Sequence, residues 1–269
     1  MRYLSLFIVL TIATIVNAQV GDYSNDTLIN YTDINGKKQG KWVKKYDDGQ
    51  IRYKGFFVND IPTGTFYYYF GDGALKSLLD YNDKGCANVE FYHENGEQAA
   101  SGKYNENRER IGLWTMYFKD GSKSAKIMYE HNKASGPVEI YYPSGNKLLD
   151  CVYSDGQLNG DYKRYFQNGA QQEIGTYKNG MRHGYFKFYN PSNNFTEVGT
   201  YYKGDKHGAW INYEALPGPD TVEYTFGIPE NWKELDQQFR DTIEWAKHNQ
   251  DKFKQPQDYI DNPFDFFKP

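Results

Sequence analysis

Seven glycines in this chain stand on one ruler: Gly40, Gly64, Gly112, Gly136, Gly160, Gly184 and Gly208 are separated by 24 residues or a multiple of 24. A period of that size marks one supersecondary unit copied along the chain, with each copy contacting only its neighbours. The absent mark, position 88, falls in a copy that runs one residue early. There Ala87 takes the glycine position, and the residue is recovered around 105–110.

Side chains keep the same time. Two residues after each mark comes a bulky apolar group: Trp42, Phe66, Val89, Trp114, Val138, Tyr162, Phe186 and Trp210. Three further on stands Lys45 in the first copy and a tyrosine in every other: Tyr69, Tyr92, Tyr117, Tyr141, Tyr165, Tyr189 and Tyr213. A turn follows ("DDG", "GDG", "ENG", "KDG", "PSG", "QNG" and a worn "PSNN"), then a second aromatic register of Phe57, Tyr81, Tyr104, Tyr129, Tyr153, Tyr177 and Tyr201. The two registers hold half of the chain's 26 tyrosines.

Each unit reads as strand, tight turn, strand. In "GLWTMYFKDG", Trp114, Met116 and Phe118 share one face and Thr115, Tyr117 and Lys119 the other, the period of two of a half-buried strand. Asp-Gly or Asn-Gly at the tip supplies positive φ. The links between units also call for positive φ, supplied by Gly36, Asn132, Gly156, Gly180 and Gly204, with Asp60 and Lys84 as poorer occupants. No link has room for a crossover helix, so hairpin follows hairpin antiparallel. The expected fold is all-β: an elongated, twisted single-layer antiparallel sheet of tandem 24-residue hairpins, about 75 Å long at ~4.8 Å per strand.

The expected organisation is a signal peptide over 1–18, an N-terminal half-repeat or cap over 19–35, and about eight hairpin units over 36–214. A linker over 215–229, an amphipathic helix over 230–254 capping the sheet end, and an extended tail over 255–269 complete it. The helix is read from Trp232, Leu235, Phe239, Ile243 and Ala246 at helical spacing. The leader has one basic residue, Arg2, an apolar run from Tyr3 to Val16, and Val16 and Ala18 at −3 and −1 to a cut before Gln19. That run is short of a membrane span, so export to a periplasmic or extracellular space is expected, with no transmembrane segment after cleavage. A formal net charge of −4 offers nothing to nucleic acid.

The stretch "GTYKNGMRHGYF" (175–186), with Tyr177, Gly180, Gly184 and Phe186, resembles the MORN repeat, and specifically its bacterial variant form. The eukaryotic type places a further glycine two residues after the second. Here an aromatic or Val stands there, as in the variant. The resemblance runs over roughly 27–214 and implies a non-enzymatic scaffold or adaptor, or an antitoxin-like protein.

Residues that could carry chemistry dissolve into the period. His183 and His207 each precede a mark, so they lie ~10 Å apart, too far for one zinc with ligands at ~2 Å; other copies hold Gln39, Thr63, Ile111, Ser135 and Asn159 there. His93 takes the position of Tyr46, Phe70, Phe118 and Tyr142 and is read as packing. Cys86 and Cys151 are nearly three units apart, too far for an intramolecular bridge. Neither a catalytic triad nor a phosphate loop occurs, so no enzyme, metal or cofactor is expected. The row Tyr69, Tyr92, Tyr117, Tyr141, Tyr165, Tyr189 and Tyr213 is either a binding strip or a set of cross-strand pairs. The expected function is binding of a protein or other macromolecule along the ribbon. An antitoxin or immunity role, or binding of a cell-surface polysaccharide, are the alternatives.

Overall fold

The computed structural model describes residues 28–249. The expected signal peptide, most of the N-terminal cap, the last residues of the helix and the tail lie outside the described residues. A two-residue strand β1 (Tyr31–Thr32) opens a continuous antiparallel sheet. Eight hairpins follow: β2 (Lys38–Lys45) with β3 (Ile51–Val58), β4 (Ile61–Tyr69) with β5 (Leu75–Tyr81), β6 (Ala87–Tyr92) with β7 (Gln98–Tyr104), and β8 (Arg110–Tyr117) with β9 (Lys123–Glu130). Then come β10 (Lys133–Tyr141) with β11 (Lys147–Ser154), β12 (Gln157–Tyr165) with β13 (Gln171–Lys178), β14 (Met181–Arg182) and β15 (Gly184–Tyr189) with β16 (Phe195–Tyr202), and β17 (Asp205–Asn212) with β18 (Asp220–Thr225). A short β19 (Ile228–Pro229) and the helix α1 (Trp232–His248) end the described chain. Each strand pairs with the next in sequence, except that β14 and β15 both pair with β13, giving the predicted ribbon.

The tips are three-residue loops closed by a left-handed residue. In the first, Tyr46 N–H donates to the Gln50 carbonyl and Gly49 N–H to the Tyr46 carbonyl, with Gly49 at φ 90°. Most links are two-residue turns with positive φ at both positions, as at Asn179 (51°) and Gly180 (77°). Lys84 is a correction: the link at 82–86 has the tip geometry, and Gly85 takes the positive φ (81°).

The marker glycines bend the register. Lys54 pairs with Tyr67 and Phe56 with Thr63, so residues 64–66 oppose Gly55 alone. Gly64 at φ 64° makes this bulge possible. At Ala87 there is no positive φ, and pairing runs unbroken from Leu79–Val89 to Tyr81–Ala87. The missing bulge, together with the longer link, is why that copy runs one residue early.

The bulky residues form the core row: Phe66, Val89, Trp114, Val138, Tyr162, Phe186 and Trp210 are all buried, Phe186 completely, Val89 by unbroken pairing and the others just past a bulge. A single-layer sheet has no second layer to cover this row, so flanking side chains do it. Second-register rings stand edge-on against it, as Tyr81 on Phe66 (5.4 Å) and Tyr201 on Phe186 (4.9 Å). Cations from the links lie over it: Lys38 on Trp42, Arg182 on Phe186 and Lys206 on Trp210, at 4.9, 5.6 and 4.1 Å. Burial of each such ring is worth roughly 1.5–3 kcal/mol.

Between successive bulky residues lies a complementary position. A Cβ on Gly55, Gly102, Gly175 or Gly199 would meet the ring of Phe66, Trp114, Phe186 or Trp210 at 2.2–2.4 Å. Where the next bulky residue is valine, the position holds Leu79 (before Val89) or Ile127 (before Val138); Cys151 faces Tyr162. Small goes with large and aliphatic with aliphatic at every junction.

Both ends of the ribbon are blunted. At the first, Asn30 (φ 63°) turns its side-chain oxygen onto Val43 N–H at 2.8 Å, occupying an edge donor. At the other, the segment expected as a linker completes the eighth hairpin, with Tyr224 opposite Gly208. That strand was hidden because the eighth tip is longer than the others and its register aromatic falls one residue short of the period. The expected helix forms at the end of the sheet. None of its residues is buried, and Phe239 is 65% exposed. Among the described residues, no helix is long and apolar enough to cross a membrane.

Candidate functional site

The tyrosine row runs along the hairpin tips on the face opposite the core. Six of the seven members sit at the register shift that precedes a tip, so each one's cross-strand partner is the first residue after the turn: Tyr69 opposite Leu75, Tyr92 opposite Gln98, Tyr117 opposite Lys123, Tyr141 opposite Lys147, Tyr165 opposite Gln171, and Tyr189 opposite Phe195. Successive tyrosines are therefore two strands, ~10 Å, apart. Six are half-buried, and Tyr213 is 40% exposed.

The row is held by its backbone. Tyr46 Oη donates to the Tyr69 carbonyl at 2.8 Å, Tyr142 Oη to the Tyr165 carbonyl at 3.0 Å, and His93 Nε2 lies 3.1 Å from the Tyr117 carbonyl. His93 thus does the work of the phenol it replaces. Asn95 and Asn168 side chains reach the carbonyls of Lys119 and Pro191 in the next tip, at 2.7 and 2.9 Å.

Two phenols are committed. Tyr92 donates to Glu90 at 2.5 Å, and this bond pushes its pKa up to about 12. Tyr141 donates to Glu139 at 2.7 Å; burial and that carboxylate raise its pKa also. Glu139 further accepts from Lys147 (2.6 Å) and Lys126 (3.3 Å), and Lys147 first of all holds its carboxyl down at about 2. At the far end the row becomes a stack, with Phe195 lying 4.9 Å from Tyr189 and 5.7 Å from Tyr213. The row offers a line of evenly spaced, neutral phenol rims, cross-linked to charge at the centre and apolar at the end.

His183 and His207 do not face each other: both pack on the ring of Tyr202, at 5.7 and 5.9 Å. His131 pairs with Glu109 across two links at 2.7 Å. Among the described residues no group of three or more His, Cys, Asp or Glu is placed to hold a metal. Cys86 and Cys151 are both free thiols.

Sequence reasoning missed a second cluster on this face, in the last two units. Tyr185 and Phe226, 54% and 59% exposed, flank the His183–Tyr202–His207 group, and Phe226 lies 5.2 Å from His207. A comparison of positions across copies carries the signal: Tyr185 stands where earlier units have Lys41, Thr65, Leu113, Pro137 and Asp161.

The fold defines a tandem β-hairpin repeat protein. Two of its units, the first and the sixth, match the profile of the family described as MORN repeat variant, over residues 38–59 and 158–179. MORN repeats form scaffolds rather than enzymes. No curated protein matches. Among solved structures, a mutant of S. aureus TarM in complex with fondaparinux, alpha-GlcNAc-glycerol and UDP is similar at 9% identity and TM-score 0.27, over 36% of this chain and 19% of its own. A second TarM structure is similar at 12% identity and TM-score 0.25, over 44% and 20%. TcdB2-TccC3-TEV is similar at 13% identity and TM-score 0.23, over 74% and 14%. The match thus spans a fifth or less of each of those chains, and similarity at this level carries no argument about what this protein does.

Proposed function

We propose that this chain is an exported repeat scaffold that holds another macromolecule, a protein or a cell-surface polymer, along the tyrosine row of its ribbon. The observation that carries this reading is the recurrence of tyrosine at one position in seven consecutive units, on the face the core does not use. Packing accounts for the core row by size matching, whereas nothing in the pairing of Tyr117 with Lys123 or Tyr165 with Gln171 requires a phenol. Tyrosine gives large contact area at small entropic cost.

The test is crosslinking capture from intact cells with the chain and with a Tyr117→Ser, Tyr141→Ser, Tyr165→Ser variant. Capture should fall about tenfold or more if these rings are central contacts, with thermal unfolding still cooperative. Undiminished capture refutes the reading. Export is tested by fractionation: a product retaining residues 1–18 in the cytoplasm counts against it.

A further inference from the structure

The cluster in the last two units lies on the same face as the tyrosine row but nearer the links, and it departs from the repeat in every residue. Tyr202 takes a position that is Val58, Asn82, Glu130, Ser154 or Lys178 in earlier units, and His183 and His207 replace Gln39, Thr63, Ile111, Ser135 and Asn159. Phe226 occupies a left-handed turn position (φ 47°) that Asn59, Asp155 and Asn179 fill elsewhere, a costly place for a bulky side chain. The result is a run of rings in which Tyr185, Tyr202 and Phe226 are exposed, with the half-buried His183 and His207 on either side of Tyr202 and Phe226 against His207.

Next to the rings is a shallow groove of about 270 Å³ lined by Asp161, Lys163, Ile174, Gly175, Thr176, Tyr185 and Lys187. Lys163 and Lys187 make no ion pair among the described residues; Lys187 lies only over Tyr185, at 5.9 Å, and Lys203 only over Tyr202, at 5.4 Å. At the same position the third, fourth and fifth units carry Glu90, Thr115 and Glu139, the two acids both bound to tyrosine. Lysine replaces these residues only in the sixth and seventh units, which meet at the groove.

We propose that this surface binds an acidic polysaccharide, with sugar rings stacked on Tyr185, Tyr202 and Phe226 and a carboxylate held between Lys163 and Lys187. Flat exposed rings fit the C–H face of a sugar. The exposed Tyr185 and Tyr202 phenols both give and accept hydrogen bonds, as hydroxyls require. Charge decides against the other polymer that combines stacking with cations. Three lysines opposed by Asp161 are too few for nucleic acid, which carries a charge on every nucleotide, but suit a chain with an acid on only some of its sugars. The proposal shares a sheet face with the scaffold reading above and does not use the same residues.

The experiment is titration calorimetry of the full chain with hyaluronan oligosaccharides, which carry one carboxylate per disaccharide, with isomalto-oligosaccharides as neutral probe and with oligo(dT). Hyaluronan should bind, and Tyr202→Ser, Tyr185→Ser and the Lys163→Ser, Lys187→Ser pair should each weaken it about tenfold, the cost of one lost stacking or charge contact. Tyr185 and both lysines lie outside the core, so these variants keep the fold even if Tyr202→Ser does not. Binding to none of the probes, equal binding of the neutral probe with no effect of the lysine pair, or tighter binding of oligo(dT) overturns the proposal. The Tyr117, Tyr141, Tyr165 variant should bind hyaluronan as the parent does, so loss of capture there with retained sugar binding, or the reverse, separates the two readings.

Discussion

The junction between the third and fourth units and the junction between the fourth and fifth share one bulge and differ in chemistry. In the first, Trp114 lies over Gly102, where a Cβ would come within 2.2 Å of the indole. In the second, Val138 pairs with Ile127, two branched side chains at ordinary register. The second also has a charge clasp on its other face, Lys126 and Lys147 converging on Glu139. The same bulge thus accepts either a large–small or a medium–medium pair, although one link closes as a three-residue loop at 105–109 and the other as a two-residue turn at His131–Asn132. What each junction demands is a constant filled volume, because interiors tolerate volume-conserving exchange and punish excess.

The largest effect should come from breaking the first junction with the residue of the second. Gly102→Ile forces the indole off its seat and should cost about 3 kcal/mol or more, read as a fall in denaturant midpoint; adding Trp114→Val should recover at least half of it. A double variant no more stable than Gly102→Ile alone sinks the size-matching account. The converse, Val138→Trp, should cost about 1–3 kcal/mol by overpacking and be relieved by Ile127→Gly.

A smaller effect separates two kinds of glycine. A Cβ at Gly112 meets nothing within 4 Å, but the residue stands at φ 66°, so Gly112→Ala should cost about 1–2 kcal/mol from backbone strain alone. Ala87 holds the same position without positive φ, and Ala87→Gly should lose only about 0.5–1 kcal/mol by loosening the unfolded chain and strand.

The smallest concerns the clasp. The Glu139 carboxyl titrates in the folded state at about 2, below its ordinary 4.5, chiefly through Lys147. A depressed carboxylate stabilises above the unfolded value, and this contribution is lost as pH falls from about 4.5 through 2. Glu139→Gln should therefore lower the melting temperature at pH 7 but converge with the parent near pH 2, while the same pH scan of Glu90→Gln serves as reference. Curves that stay parallel show the clasp to be idle.

Much of this was readable along the chain. The tip Asp-Gly and Asn-Gly pairs and the alternation in 112–119 each act within a few residues, and each formed the predicted turn or strand, whereas the marker glycines were legible as a period but not as bulges. Lys84 and the eighth hairpin were misread because one missing bulge and one longer tip shift the phase, and a phase shift is invisible until pairing partners are known. The tyrosine row was legible as a period. Which of its phenols are committed was not, since Glu90 and Glu139 occur at a position held by other residues in the remaining units.

By itself, the 24-residue period determined a ribbon of antiparallel hairpins, because local φ preferences and two-residue alternation leave no other way to repeat so short a unit. Only the tertiary structure decided which glycines serve conformation and which serve space. Gly112 and Gly102 are the same letter ten residues apart, but one turns the chain and the other lies beneath an indole from the neighbouring unit. It also decided that the rings of the last two units gather beside unpaired lysines, since which side chains of successive strands share a face depends on the register and bulges between them.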